Sequence, residues 1–201
     1  MFNFLNSLDI NLTQIIRLAL PHNRLFDLFF SFFSQNGGSI LIWIALVIFI
    51  LFFEERKNPG ISTKDKQFII IITLALITQA ILVNIILKNT FQRPRPPAMQ
   101  ASILALRAGP QLQPNICPHD FSFPSGHAAT AFCAAAILSV FDKKKKYLYY
   151  LIAFLIALSR IYLNCHYLGD VLAGGLIGWG VSWIYLYLLK TPIVMKRSLL
   201  K

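Results

Sequence analysis

The sequence predicts an all-α protein: a polytopic membrane bundle of about five to six transmembrane helices, preceded by an N-terminal helix lying at the bilayer surface. Three observations carry that expectation. Of 201 residues, 56% are hydrophobic and only 13% charged, with a mean hydropathy of +0.61; a soluble domain of this length could not cover so much apolar surface. The apolar residues gather into near-continuous runs about as long as a bilayer crossing requires. The Lys and Arg residues cluster between those runs and at their ends. The chain reads as one domain, 1–201, with its core over 37–189.

Residues Asn6 to Leu20 repeat with helical period. Leu8, Leu12, Ile15, Ile16 and Ala19 share a face, while Asp9, Asn11, Thr13 and Arg17 lie off it, which suits an interfacial helix. Met1 to Ile10 has neither the basic start nor the long apolar core of a cleavable signal. Pro21-His22-Asn23-Arg24 ends the segment, and His22 reads as a loop histidine. A first span is expected over about Phe29 to Phe53, interrupted at Gly37-Gly38, and a second over Gln67 to Leu87. Asn89 to Asp120 follows as a loop with six prolines, and a connection that long inside a compact chain usually carries function. A third span begins near Pro124 and ends at Val140. Asp142 and Lys143 to Lys146 make a basic turn. The fourth span runs from Tyr147 to Leu163, with Tyr147, Tyr149 and Tyr150 as an aromatic anchor at its basic end. The fifth runs from His166 to Leu189, where Gly174, Gly175, Gly178 and Gly180 offer a face for close packing.

The formal charge of +11 does not point to nucleic acid, because the basic residues sort by side of the membrane. With five spans, twelve of the nineteen Lys and Arg residues fall in the 54–66 loop, the 142–146 turn and the tail. That side is expected to be cytoplasmic. The 89–121 loop and the stretch from Ser159 to Asp170 then face outward. The three cysteines give no disulfide framework. Cys133 lies inside a span as packing. Cys117 and Cys165 face the same side, so pairing is open to them, but the sequence alone leaves them unpaired.

Three outward places are chemically dense. Lys88, Arg93 and Arg95 cluster where a helix meets the loop; by themselves they would serve as lipid-headgroup anchors. Ser122-Phe-Pro-Ser125-Gly126-His127 stands at a helix start, where proline is tolerated, Gly126 allows close backbone approach, and free N–H groups with the helix dipole favour an anion. Its plain alternative is a capped helix with a chance histidine. In Ser159-Arg160-Ile-Tyr-Leu-Asn-Cys-His166-Tyr-Leu-Gly-Asp170, a helical spacing of four puts His166 and Asp170 on one face. Asp170 can then fix the His166 tautomer and leave the other ring nitrogen free to attack an electrophile. Arg160 adds a planar fork of donors for phosphate or carboxylate. The plain alternative pairs Arg160 with Asp170 while His166 packs. Together the three supply what phosphoryl transfer needs: cations to neutralise the equatorial oxygens, one histidine to attack and one to protonate the leaving oxygen.

These motifs resemble those of the type 2 phosphatidic acid phosphatase superfamily. Lys88, Arg95 and Pro96 match its first motif; Pro124, Ser125, Gly126 and His127 its second; Ser159, Arg160, His166 and Asp170 its third. The resemblance covers roughly Gly37 to Leu189. It implies a membrane lipid phosphatase of the cell envelope, working through a phosphohistidine with no metal or other cofactor. His166 would be the nucleophile, Asp170 its orienting partner and His127 the general acid. Lys88, Arg95, Arg160, Ser125 and the Gly126 N–H would bind phosphate. Arg93 lies outside the motif and is open as a headgroup or second-phosphate contact; His119 reads as a solvated loop residue. The expected substrate is undecaprenyl diphosphate. Phosphatidylglycerophosphate, phosphatidic acid and lipid A 1-phosphate are the alternatives, and the bacterial inner membrane the expected place. A metal hydrolase is disfavoured because Lys88, Arg95 and Arg160 would repel a divalent ion. A haloperoxidase is disfavoured by the spans. A non-enzymatic anion transporter would need charges deep within spans, not at helix ends.

Overall fold

The structure, a computed structural model, describes residues 2–34, 41–48, 63–97 and 117–189. Those residues are helices and short connections, with no strand among them. Helix α1 is Phe2–Ala19 and α2 Arg24–Ser34; α3 covers 41–48. Helix α4, Thr63–Ala80, runs without a break through a π-helical stretch, Ile81–Leu87, into a last α turn, Lys88–Phe91. Then come α5, Gly126–Phe141, α6, Lys146–Tyr162, and α7, Leu168–Leu188.

The expected second span is thus longer at both ends, and the loop begins at Gln92, whose φ of 45° closes the helix in the left-handed region. The first expected span is represented by α2 and α3; the remainder of it, the middle of the long loop and the basic tail lie outside the described residues. Among the described residues two helices are long and apolar enough to cross a bilayer: Asp65–Phe91, 27 residues, and Leu168–Leu188, 21 residues. At about 1.5 Å per residue both exceed or match the roughly 30 Å hydrocarbon core. Helix α5 is apolar but only 16 residues long. The expected five to six spans therefore do not follow from helix lengths alone.

Helix α5 is the centre of the bundle. It is lined with alanine, and Ala128, Ala129, Ala131, Ala134, Ala135, Ile137 and Leu138 are fully buried. Gly174 and Gly178, one turn apart on α7, let that helix lie directly on it. A Cβ at Gly174 would run into the carbonyl of Ser125, and one at Gly178 into the carbonyl of Ala129. Gly180 points elsewhere and has nothing within 4 Å. Of the four expected packing glycines, three do that work; the fourth lies two residues on from Gly178, about 200° round the helix. The basic turn differs in one respect. Tyr149 is buried and donates to Asp142 at 2.8 Å, so it is a strut and not an interfacial anchor; Tyr147 is exposed, as an anchor would be.

Helix α1 keeps its apolar residues Leu8, Leu12 and Ile15 on the outside. Two of its polar residues, Asp9 and Thr13, which lie off the apolar face, turn inward. Asp9 accepts from the N–H of Gly169 at 2.7 Å, and Thr13 accepts from the N–H of Leu168 at 2.9 Å. Two of the N–H groups that open α7 are satisfied by a helix more than 150 residues earlier in the chain. The Asp27 that interrupts the aromatic run of α2 accepts from the Tyr162 hydroxyl at 2.7 Å. His22 stacks on the same tyrosine and bonds the Arg17 carbonyl, clear of the site, as expected of a loop residue.

Candidate active site

The three motifs meet at one end of the bundle, around the start of α7. His166 does not lie on that helix. It stands two residues before it, in the turn after α6, where Asn164 at φ 58° reverses the chain and the N–H groups of Cys165 and His166 both return to the Arg160 carbonyl at 2.9 and 3.2 Å. Asp170 is in the first turn of α7. The two are still neighbours, but through a loop-to-helix corner and not through one helical face. Nδ1 of His166 is 3.6 Å from Oδ2 of Asp170, a contact that needs a small ring rotation to become a hydrogen bond.

The other ring nitrogen is fixed by chemistry. Nε2 of His166 lies 3.1 Å from Nη1 of Arg95. A guanidinium can only donate, so Nε2 must carry a lone pair and the proton sits on Nδ1, facing Asp170. Burial, with the Arg160 and Arg95 charges close by, pushes His166 down to about 4 against the pull of Asp170. At neutral pH the ring is a neutral base with its lone pair aimed at the cations.

Asp170 is fully buried and heavily held. Its carboxylate accepts from the Ser122 hydroxyl, from the Tyr167 N–H at 2.9 Å and from Arg93 at 2.7 Å. Arg93 also reaches Asp9 at 2.8 Å and Asn6 at 2.9 Å, and its guanidinium lies 4.1 Å above the Tyr167 ring. Arg93 is thus committed to orienting Asp170 and tying α1 to it, which corrects the headgroup reading. Burial alone would lower its pKa, but Asp170 and Asp9 outweigh that and raise it.

Lys88 is 5% exposed. The π-helical stretch before it adds a local change of register, as such stretches often do near functional sites. Asn84, in that stretch, packs where a Cβ on Gly126 would sit. Lys88 and Arg95 both bind the carboxylate of Asp120. Arg95 further donates to the Asp120 carbonyl at 2.8 Å and the Cys165 carbonyl at 2.7 Å. Arg160 is wholly buried in the last turn of α6. One of its nitrogens is held by the Ser34 carbonyl at 2.9 Å and by the Ser34 hydroxyl. Its Nε and other terminal nitrogen have no partner among the described residues. Two buried cationic donors left open in this way imply an anion that belongs there.

Ser125 caps α5, accepting from the Ala128 N–H at 3.5 Å, and its own N–H donates to the Asp170 carbonyl at 2.9 Å. The helix's own ladder begins with Ala129 N–H to Ser125 O, so the N–H groups of Gly126 and His127 point out of its end. Pro124 sits just outside the cap, after a cis Phe123–Pro124 bond, and not in the first turn. His127 lies close to the Arg160, Lys88 and Arg95 cations and to the His166 ring. Cys117 and Cys165 form a disulfide with Cα atoms 5.4 Å apart. It corrects the unpaired reading and fastens the returning loop beside His166; the sequence held no signal for it beyond a shared side of the membrane. Asp9, Asn6, Thr13, Ser34, Asp120 and Ser122 all help build the site and were not singled out from sequence as site residues. Only Ser122 and Asp120, a few residues before the second motif, lay near enough to suspect.

The chain is similar in sequence and fold to proteins of known family. A family model described as the PAP2 superfamily matches residues 68–193, well over half the chain. The undecaprenyl-diphosphatase of Sulfolobus acidocaldarius is 28% identical over 171 residues, 84% of this chain and 74% of that one. The lipid A 4'-phosphatase of Bacteroides thetaiotaomicron is 26% identical over 200 residues, 94% of this chain and 80% of that one. The crystal structure of Aquifex aeolicus LpxE superposes with a TM-score of 0.63 at 31% identity, covering 90% of this chain and 95% of that one.

Proposed function

The chain belongs to the PAP2 superfamily, and on that premise we propose that it is a membrane lipid phosphatase that works through a phosphohistidine on His166. One observation carries the reading: the lone pair of His166 Nε2 faces Arg95 near Arg160, two of whose nitrogens lack partners among the described residues. A phosphoryl group placed there has cations on its equatorial oxygens and a nucleophile in line with its leaving oxygen.

In the first half-reaction Nε2 attacks phosphorus and a P–N bond forms. The bond from phosphorus to the leaving group's oxygen breaks (in a diphosphate, the oxygen bridging the two phosphorus atoms), and His127, protonated once the phosphoryl anion offsets the surrounding cations, gives that oxygen a proton. Lys88, Arg95, Arg160, the Ser125 hydroxyl and the Gly126 N–H hold the phosphoryl oxygens. The imidazolium that results keeps its Nδ1 proton toward Asp170, whose charge is fixed by Arg93 and Ser122. In the second half His127 takes a proton from water, the water oxygen attacks phosphorus, and the P–N bond breaks. The surplus of cations would repel a divalent metal, so the reaction proceeds without one. The site faces the extracytoplasmic side of a bacterial inner membrane, as the Lys and Arg distribution supports.

Undecaprenyl diphosphate is the favoured substrate, supported by the similarity to the Sulfolobus enzyme over most of the chain. Phosphatidylglycerophosphate and phosphatidic acid are alternatives. The lipid A phosphatase similarity, over 94% of the chain, favours a lipid A phosphate as the second reading. The test is phosphate release by detergent-purified protein, with EDTA present, from a panel of these lipids. Release identifies the enzyme and ranks its substrates; a protein that only carries anions releases none, because detergent leaves no compartment to carry them into.

A further inference from the structure

We propose that Asp120 is a built-in anion that occupies the phosphate position in the resting enzyme and is displaced by the substrate's phosphoryl group. The proposal rests on the phosphate-site reading above. Its basis is where the carboxylate goes. One oxygen binds the Lys88 ammonium and the other the outer nitrogen of Arg95, so it spans two of the three cations assigned to phosphate. Lys88 is buried and Arg95 largely so, while the Asp120 side chain is 45% exposed at the mouth. Three like charges close together in a buried pocket need a counterion when no substrate is present. Asp120 supplies part of it and leaves the deeper Arg160 edge open.

The backbone around Asp120 is arranged so that only the side chain need move. The Cys117–Cys165 disulfide anchors the chain three residues before it. Two residues after it, the Ser122 N–H bonds the Arg93 carbonyl at 2.8 Å and the Ser122 hydroxyl bonds Asp170. The Asp120 carbonyl holds Arg95 Nε at 2.8 Å. A rotation about the side chain swings the carboxylate into solvent while Arg95 stays fixed beside His166. A phosphate outcompetes it because it carries more charge and also reaches Arg160. The Lys88 and Arg95 partners hold the Asp120 carboxyl below its ordinary range against the effect of burial, so it stays ionised wherever His166 is neutral. It then sets a threshold for weak anions: a single carboxylate cannot displace it efficiently, and a phosphate can.

The test is vanadate binding to purified wild-type, Asp120→Asn and Asp120→Ala protein by titration calorimetry, with KM for the best lipid phosphate alongside. Removal of a competing, partly exposed ion pair predicts vanadate binding about fivefold tighter in both variants, with KM lowered by a similar factor and stronger inhibition by inorganic phosphate. Wild-type binding with equal or weaker binding in both variants would overturn the proposal and make Asp120 a positioning residue for Lys88 and Arg95. No binding by any of the three proteins would remove the phosphate site itself, and the proposal with it.

Discussion

Helix α7 is held in two different ways along its length. At its start, beside the apolar packing of Leu168 and Val171, the helix is held by polar contacts from far away: Asp9 and Thr13 from α1, Arg93 and Ser122 from the loops, Ser125 from the cap of α5. Halfway down, the contact is bare backbone against backbone, with Gly174 and Gly178 laid on the carbonyls of Ser125 and Ala129. The first region sets the direction of two side chains. The second sets how deep the helix sits. Chemistry fails if either slips, but it fails differently, and that difference can be measured.

The sharpest break in the comparison is at the nucleophile. His166→Ala should lower turnover by at least about 10⁴-fold while the melting profile in detergent stays close to wild type, since the side chain's contacts are one hydrogen bond to Arg95 and a longer approach to Asp170 among the described residues. Gly178→Val is the converse. It drives side-chain atoms into the Ala129 carbonyl and should destabilise the fold by about 1–3 kcal/mol, read as a lowered melting midpoint. Gly180→Ala, on the open side of the same helix, should leave the midpoint unchanged or raise it by the equivalent of at most about 1 kcal/mol.

Between these extremes stands Arg93. Arg93→Gln removes the charge that steadies Asp170 and should cost about tenfold to a hundredfold in kcat with KM little moved, because it touches the orienting aspartate and not the phosphate. A KM effect alone would return Arg93 to the headgroup role. The pH dependence is a gentler probe. Attack needs neutral His166, and burial holds that group near 4, so the acid limb of kcat/KM should fall near pH 4 and not near the ordinary 6.5. The same shift acts on folding. Above 6.5 both states keep the ring neutral. Between 6.5 and 4 the unfolded chain takes up a proton that the folded chain refuses, so this contribution to stability is lost as pH falls through that window. The smallest expected effect is at the disulfide: thiol labelling of the native protein should miss Cys117 and Cys165 until reductant is added.

The two regions also differ in how far the sequence discloses them. Helices α4 to α7 were legible because apolar runs between charged breaks report burial directly. The motif residues stood out because phosphoryl chemistry constrains which side chains must stand at which spacing, and the structure gathers them at one end of the bundle. What stayed hidden is the support. Asp9 looked like the wet side of an amphipathic helix, and only the fold reveals that its partners are Gly169 and Arg93. Ser34 gave no sign that it would hold Arg160, 126 residues away. Contacts of that range depend on how helices cross, which periodicity does not encode. The His166–Asp170 relation was anticipated for the wrong reason, since an i,i+4 spacing was read as one helix when the helix starts between the two residues. The pair survives because Asp170 lies in the first turn, facing back over the cap.

The central claim is that phosphate passes through a covalent bond to His166. The most direct measurement is rapid alkaline quenching of the enzyme during turnover of a lipid labelled in its phosphate, followed by peptide mapping of the label. The account predicts an acid-labile phosphate on the peptide bearing His166, present in the wild type and absent from His166→Ala. Turnover with no label on that peptide, or with the label on another residue, would contradict it.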